Sequence, residues 1–102
     1  MHAVVRRYEG IDPGSVEEIK RRGNEELVPL IREAPGIVAH FVIWAGDGTM
    51  LSTSVFEDRA AAEESNRKVV ERIGSSLTSL MPQPQVTSGD VLLHTIGAAS
   101  AR

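Results

Sequence analysis

Cysteine is absent from the 102 residues, so neither a disulfide framework nor thiolate chemistry is open to this chain. Aromatic side chains are scarce. With one Trp, one Tyr and two Phe, each aromatic on a packed face is a candidate anchor or ligand wall. Basic charge is not in excess: 11 Lys and Arg stand against 14 Asp and Glu, a net charge of −3. That balance offers no electrostatic reason to invoke nucleic acid or an anionic membrane as a partner. Apolar runs are also short, none approaching the roughly 20 residues needed to span a bilayer. In Met1-His2-Ala3-Val4-Val5-Arg6-Arg7 the charges follow a short apolar run, the reverse of a signal peptide. A reducing cytoplasm is permitted, and a cytoplasmic location is the expectation. No HxH, HExxH or nucleophile triad is present, so no metal and no cofactor are expected. Gly46-Asp47-Gly48 resembles a phosphate loop in composition only, because it sits in a hairpin rather than before a helix.

What is present is ordinary globular material, 41% hydrophobic and 25% charged, enough for one modest core. A single domain over residues 1–97 with a frayed tail at 98–102 is expected. His2 to Tyr8 reads as a first strand. Turn chemistry follows at Gly10-Ile11-Asp12-Pro13-Gly14, and Ser15 with Glu18 forms a capping box for a helix running to about Ala34. Val16, Ile19, Leu27, Leu30 and Ile31 recur on that helix at helical spacing. Pro29 lies inside the pattern, removes a backbone donor and crowds the preceding turn, which predicts a kink near Glu25 to Val28. Ile37 to Trp44 and the run up to Glu57 flank Asp47-Gly48, the strongest short-range hairpin signal. Asp58 is an N-cap for a second helix, Arg59 to Ile73, with Ala61, Ala62, Ser65, Val69 and Ile73 on a narrow buried stripe. Gly74-Ser75-Ser76 interrupts it, Leu77 to Met81 adds a short turn, and Gln85 to Gly97 is a fourth strand. The order β-α-β-β-α-β predicts an α+β, ferredoxin-like antiparallel sheet with both helices on one face.

Period two sorts the strand residues between faces. Ile37, Ala39, Phe41 and Ile43 are uniformly apolar and are expected under the helices; Val38, His40, Val42 and Trp44 are expected on the open face. An even loop then puts Trp44 opposite Leu51, Val42 opposite Thr53 and His40 opposite Val55. Arg6, Tyr8, His40, Trp44 and His94 are thereby expected together on an apolar open floor. Soluble monomers rarely leave such a patch uncovered, so a homodimer through the open sheet face is expected.

Several stretches carry a family likeness. They are Val4-Val5-Arg6-Arg7-Tyr8, Leu27-Val28-Pro29-Leu30-Ile31 and Ala34-Pro35-Gly36-Ile37-Val38, followed by Gly46-Asp47-Gly48-Thr49 and Ser54-Val55-Phe56-Glu57-Asp58. Together the pattern resembles the antibiotic biosynthesis monooxygenase domain of the dimeric α+β barrel superfamily, over nearly the whole chain. The resemblance implies a homodimer with a ligand cavity, and a superfamily that includes cofactor-free oxygenases of aromatic polyketides or quinols as well as haem-degrading oxygenases. The haem-degrading branch looks to a strand-one Asn, a Trp near the second helix and a His along it. This chain has Arg6 and Arg7 in the strand and no Trp or His over Arg59 to Ile73, a departure from that pattern.

Two functional expectations follow. One is a small cofactor-independent monooxygenase acting on an aromatic or quinone-like metabolite. In it, His40 and His94 move protons, Arg6 partners an anion, and Trp44 and Tyr8 bind the ring. The other is a non-catalytic ligand-binding or structural dimer, in which Trp44 is an interface anchor, the histidines are polar seam residues and Arg6 pairs with Glu57, Asp90 or a subunit carboxylate. Ser65-Asn66 reads as a helix–sheet contact.

Overall fold

Asp47 and Gly48 take φ of 51° and 78°, the paired positive values of the turn that closes a two-residue hairpin. In the computed structural model, which describes residues 1–73 and 79–97, the turn joins β2 (Ile37–Gly46) to β3 (Thr49–Phe56). Gly48 is also a point of close approach. Ile11 donates its N–H to the Gly48 carbonyl at 3.0 Å, and a Cβ at Gly48 would lie 3.2 Å from the Ile11 oxygen. β1 (His2–Tyr8) pairs antiparallel with β3 on one side and with β4 (Gln85–Asp90) on the other, giving the order β2-β3-β1-β4. The fold is the α+β, ferredoxin-like one. β4 ends earlier than expected: residues 91–97 have no regular structure.

The first helical segment starts differently from the expected capping box. Ser15 makes no side-chain cap; instead Asp12 accepts from the Gly14 N–H at 2.9 Å and caps a short 3-10 turn, Pro13–Ser15. α1 (Val16–Arg22) then passes through a π turn, Gly23–Leu27, into α2 (Val28–Arg32). The Val28 N–H bonds to the Gly23 carbonyl, five residues back, immediately before Pro29. A residue with no donor is thus accommodated by widening the turn ahead of it, where the sequence predicts a kink. α3 (Arg59–Ile73) begins as expected, with the Ala61 N–H bonded to the Asp58 carboxylate at 2.8 Å. Ala62 and Ser65 are buried along its sheet-facing stripe, and Ala61 is half-buried. The Ile73 side chain, the interruption at Gly74-Ser75-Ser76, part of the Leu77 to Met81 turn and the 98–102 tail lie outside the described residues.

β2 departs from strict alternation at two bulges, between Ile37 and Ala39 and between Trp44 and Gly46. Each bulge inserts one residue and reverses the side that later residues face. Ile37 packs under the helices with Val4, Phe56 and Ala62, as predicted. Beyond Val38 the parity inverts, so Ala39, Phe41 and Ile43 take the open face while His40, Val42 and Trp44 turn toward the helices. The second bulge shifts the hairpin register by one. Trp44 pairs with Met50, Val42 with Ser52 and His40 with Ser54, in place of the expected Leu51, Thr53 and Val55.

The core is thin and divided. Val4, Phe56 and Ala62 form one buried cluster; Ile11, Ile19 and Met50 form another, with Tyr8, Leu80 and Met81 against it. The space between sheet and helices that neither cluster fills is the cavity described next. Among the described residues no helix is long and apolar enough to cross a membrane.

Candidate functional site

The cavity has two lobes, of about 510 Å³ and about 430 Å³, each within the range of small-molecule sites. They meet at Tyr8, Leu27, His40, Ser52 and Met81. The first lobe lies between β1, β3 and α3, and its polar wall carries Arg6, Ser54, Ser65 and Asn66. The second lies beneath α1 and the π turn and is walled by Val42 and Trp44 from β2 with Val16, Lys20 and Asn24 from the helical side. Among the described residues none from α3 lines the second lobe.

Arg6, Tyr8, His40 and Trp44 therefore share one face, as period two predicts, but that face is covered by the helices rather than open. The bulge at Val38 is the reason on β2. On β1, Val4, Arg6 and Tyr8 follow the buried Val4 under the helices. His94 stands apart: it lies in the irregular segment after β4, is exposed and lines neither lobe.

Arg6 and His40 are each held by a definable contact. Arg6 donates from Nη2 to Oδ1 of Asn66 on α3, an amide partner in place of the expected carboxylate. Ser65-Asn66 is thus a helix–sheet contact, with Ser65 buried. His40 Nδ1 lies 2.9 Å from the Ser54 hydroxyl directly across the β2–β3 ladder, while His40 Nε2 is buried with no hydrogen-bond partner among the described residues. Burial holds the His40 pKa below the ordinary imidazole value, and the Arg6 charge lowers it further. At neutral pH His40 is thus a neutral imidazole with one nitrogen occupied by Ser54 and the other free. Burial raises the Tyr8 phenol, against a smaller lowering by Arg6, so Tyr8 remains a protonated donor. The arrangement combines a proton acceptor or donor at His40 Nε2, a fixed cation at Arg6, a phenol at Tyr8 and an indole wall at Trp44.

Sequence reasoning missed Ser54 and the bipartite cavity. Ser54 opens one of the stretches that carry the family likeness, but its role depends on the shifted register that places it opposite His40.

A scan against protein-family models matches none, and a search of curated proteins finds no match. Solved structures do match. One is a monooxygenase from Streptomyces coelicolor in complex with nanaomycin D, with a TM-score of 0.76, 16% identity, and coverage of 95% of this chain and 92% of that one. The chain has the antibiotic biosynthesis monooxygenase fold. A crystal structure described as an antibiotic biosynthesis monooxygenase superposes with a TM-score of 0.73 at 20% identity, over 91% of this chain and 100% of that one. A protein of unknown function from Nitrosomonas europaea matches with a TM-score of 0.74 at 19% identity, over 95% of this chain and 94% of that one. Identities this low carry the fold and leave the activity to the site.

Proposed function

We propose that this chain is a small cofactor-independent monooxygenase acting on an aromatic or quinone-like metabolite held between sheet and helices. The observation that carries the reading is the buried, unpartnered Nε2 of His40 in a cavity it shares with Arg6 and Tyr8. A buried polar atom without a partner costs free energy in the empty protein, and a ligand hydroxyl at that nitrogen removes the cost. Structural resemblance to a monooxygenase solved with nanaomycin D supports an aromatic polyketide-like ligand.

In the reaction, His40 Nε2 takes the proton of a phenolic hydroxyl and Arg6 stabilises the resulting anion. The electron-rich phenolate reduces dioxygen, and a C–O bond forms at an activated ring CH₂ as one of its C–H bonds breaks and that proton passes to the phenolate oxygen. His40 returns the proton to the peroxide oxygen. The hydroperoxide then loses water to leave a carbonyl, so one dioxygen is consumed for one carbonyl and one water formed. Tyr8 is placed to donate to a ligand oxygen, and Trp44 to stack on the ring.

The active form is a homodimer through the open sheet face. Phe41 is 61% exposed and Ile43 48%, on a face with half-buried Val5, Leu51 and Val55, and Leu92 and Leu93 beyond β4 are also in solvent. An apolar surface of this kind is what a second copy covers.

The test is oxygen uptake with a panel of hydroxylated anthrones, measured against carbonyl product. Uptake matched to product and reduced roughly 10²–10⁴-fold in His40→Ala supports the reading. Uptake unchanged in His40→Ala overturns the role of His40. Tight binding with no uptake replaces the enzyme by a ligand-binding protein of the same fold.

A further inference from the structure

Acidic residues outnumber basic ones in this chain, 14 to 11, yet among the described residues no carboxylate lines either lobe. Among the described residues the charged side chains in the two walls are both cations, Arg6 in the first lobe and Lys20 in the second. The local sign is thus opposite to that of the molecule, and a cleft of one sign with low-dielectric walls concentrates its field on whatever enters.

Lys20 is set apart from its neighbours on α1. Arg21 is bound to Glu18 and, at 2.9 Å, to Glu25; Arg22 lies 3.5 Å from Glu18. Their charges are spent on the solvent side. One turn on either side of Lys20 lie Val16 and Asn24, both in the same wall, so the stripe 16–20–24 faces the second lobe. Lys20 is exposed overall while still lining the lobe, which puts it at the rim, where an ammonium stays hydrated until a ligand arrives. The π turn opens this region further: a Cβ built on Gly23 would meet nothing within 4 Å. Trp44 and Val42 form the opposite, sheet-side wall.

We propose that the second lobe is a subsite for an anionic substituent of the aromatic ligand, with Lys20 as its counter-ion and the Asn24 amide as a supporting donor. The inference rests on the reading of the first lobe as the aromatic site and adds its substrate class: a polycyclic phenol bearing a carboxylate at the end remote from the reacting hydroxyl. The phenolic end sits near Arg6 and His40, and the ring system crosses the shared wall at Tyr8 and Leu27. The carboxylate then reaches the Lys20 rim. Lys20 is a specificity residue and takes no part in proton transfer.

The experiment is a Trp44 fluorescence titration of the full chain with a dihydroxyanthraquinone and with the same compound carrying a ring carboxylate. About tenfold tighter binding of the carboxylate is expected, shrinking as salt rises because the pair at the rim is screened. Lys20→Met is expected to abolish the preference and leave the affinity for the neutral compound unchanged; Lys20→Arg is expected to keep it. Equal affinities in the unsubstituted protein overturn the subsite and leave the first lobe intact. A preference that survives Lys20→Met but disappears in Arg6→Met also overturns it, since the carboxylate then sits in the first lobe. Failure of both compounds to bind overturns the reading of the first lobe and the subsite with it.

Discussion

Gly36→Ala is expected to destabilise the fold by about 2–5 kcal/mol, from two terms that can be separated. Gly36 has φ of +80°, where an L side chain crowds the following carbonyl at a cost of roughly 1–2 kcal/mol. The added Cβ would also lie 2.8 Å from the Ala61 Cβ on α3, well inside the ordinary carbon–carbon contact of about 3.5–4.0 Å. Relief requires α3 to move away from the β2 entry, and overpacking of this kind costs about 1–3 kcal/mol. The Glu57 N–H bonds to the Gly36 carbonyl at 2.7 Å, so the loop is also tied to the end of β3 and cannot yield freely. The assay is denaturant unfolding of Gly36→Ala, Ala61→Gly and the double variant, read as midpoint shifts at constant slope. Ala61→Gly alone costs about 1 kcal/mol of helix propensity. In the double variant the clash is absent, so a favourable coupling of about 1–3 kcal/mol is expected. The φ term persists. A Gly36→Ala protein within about 0.5 kcal/mol of the parent, or a coupling near zero, refutes the close approach of α3 to this loop. Because α3 carries Asn66 and Ser65, the same displacement should widen the first lobe and weaken ligand binding beyond what the lost stability explains.

Further outcomes follow from the same geometry. Arg6→Met removes a charge that lowers His40, so the His40 pKa measured by NMR should rise toward the ordinary imidazole value, while burial, the larger cause, still holds it below. Since the folded-state pKa of His40 is depressed, its contribution to stability is intact above the unfolded value of about 6.5 and is lost as pH falls from there through the folded pKa; His40→Gln should flatten that part of the stability–pH curve. Phe41→Asp should yield a folded monomer by sedimentation, because Phe41 is exposed in the single chain. Val42→Asp should instead leave the association state unchanged and weaken aromatic binding, because Val42 lines the second lobe; the opposite pattern would show that the assigned faces are reversed.

Much of the fold was legible because its signals are local. Asp47-Gly48 specifies a turn through two backbone conformations, Asp58 caps α3 through one carboxylate, and Pro29 disturbs its helix through a missing donor. The four-residue grouping of Arg6, Tyr8, His40 and Trp44 was legible too, since parity within β1 and within His40 to Trp44 is preserved. Which side they face was not. For His40 and Trp44 that depends on a single extra residue at Val38, and nothing in Ile37-Val38-Ala39, all compatible with a regular strand, marks the bulge; for Arg6 and Tyr8 it follows from the burial of Val4. The Ala45 bulge likewise sits in an unremarkable Trp-Ala-Gly. His94 differs for another reason: its strand-like neighbours Val91, Leu92 and Leu93 lie past the end of β4 and belong to no regular element.

The inversion at Val38 accounts for a feature that is hard to reconcile with the expected parity, a monomer that puts its most uniformly apolar strand set outside. Ala39, Phe41 and Ile43 under the helices would fill the space and leave His40 and Trp44 in solvent. With the bulge, the apolar set is available for a second copy of the sheet, and the mixed set lines a cavity. One inserted residue thus separates the two demands on β2, association on one face and ligand contact on the other. Removing it makes a direct test: deletion of Val38 takes out the unpaired residue and leaves Ala39 next to Ile37, so Ala39 and Phe41 should stay on the open face and His40 under the helices, now in a regular strand. The expected result is a folded chain that keeps aromatic binding and a His40 pKa below the ordinary value, because burial, the main cause of its depression, is retained. If the deletion variant instead loses aromatic binding and its His40 pKa returns to the ordinary value, the strand has been turned over by the loss of one paired residue, and Val38 is not the bulge that sets the face.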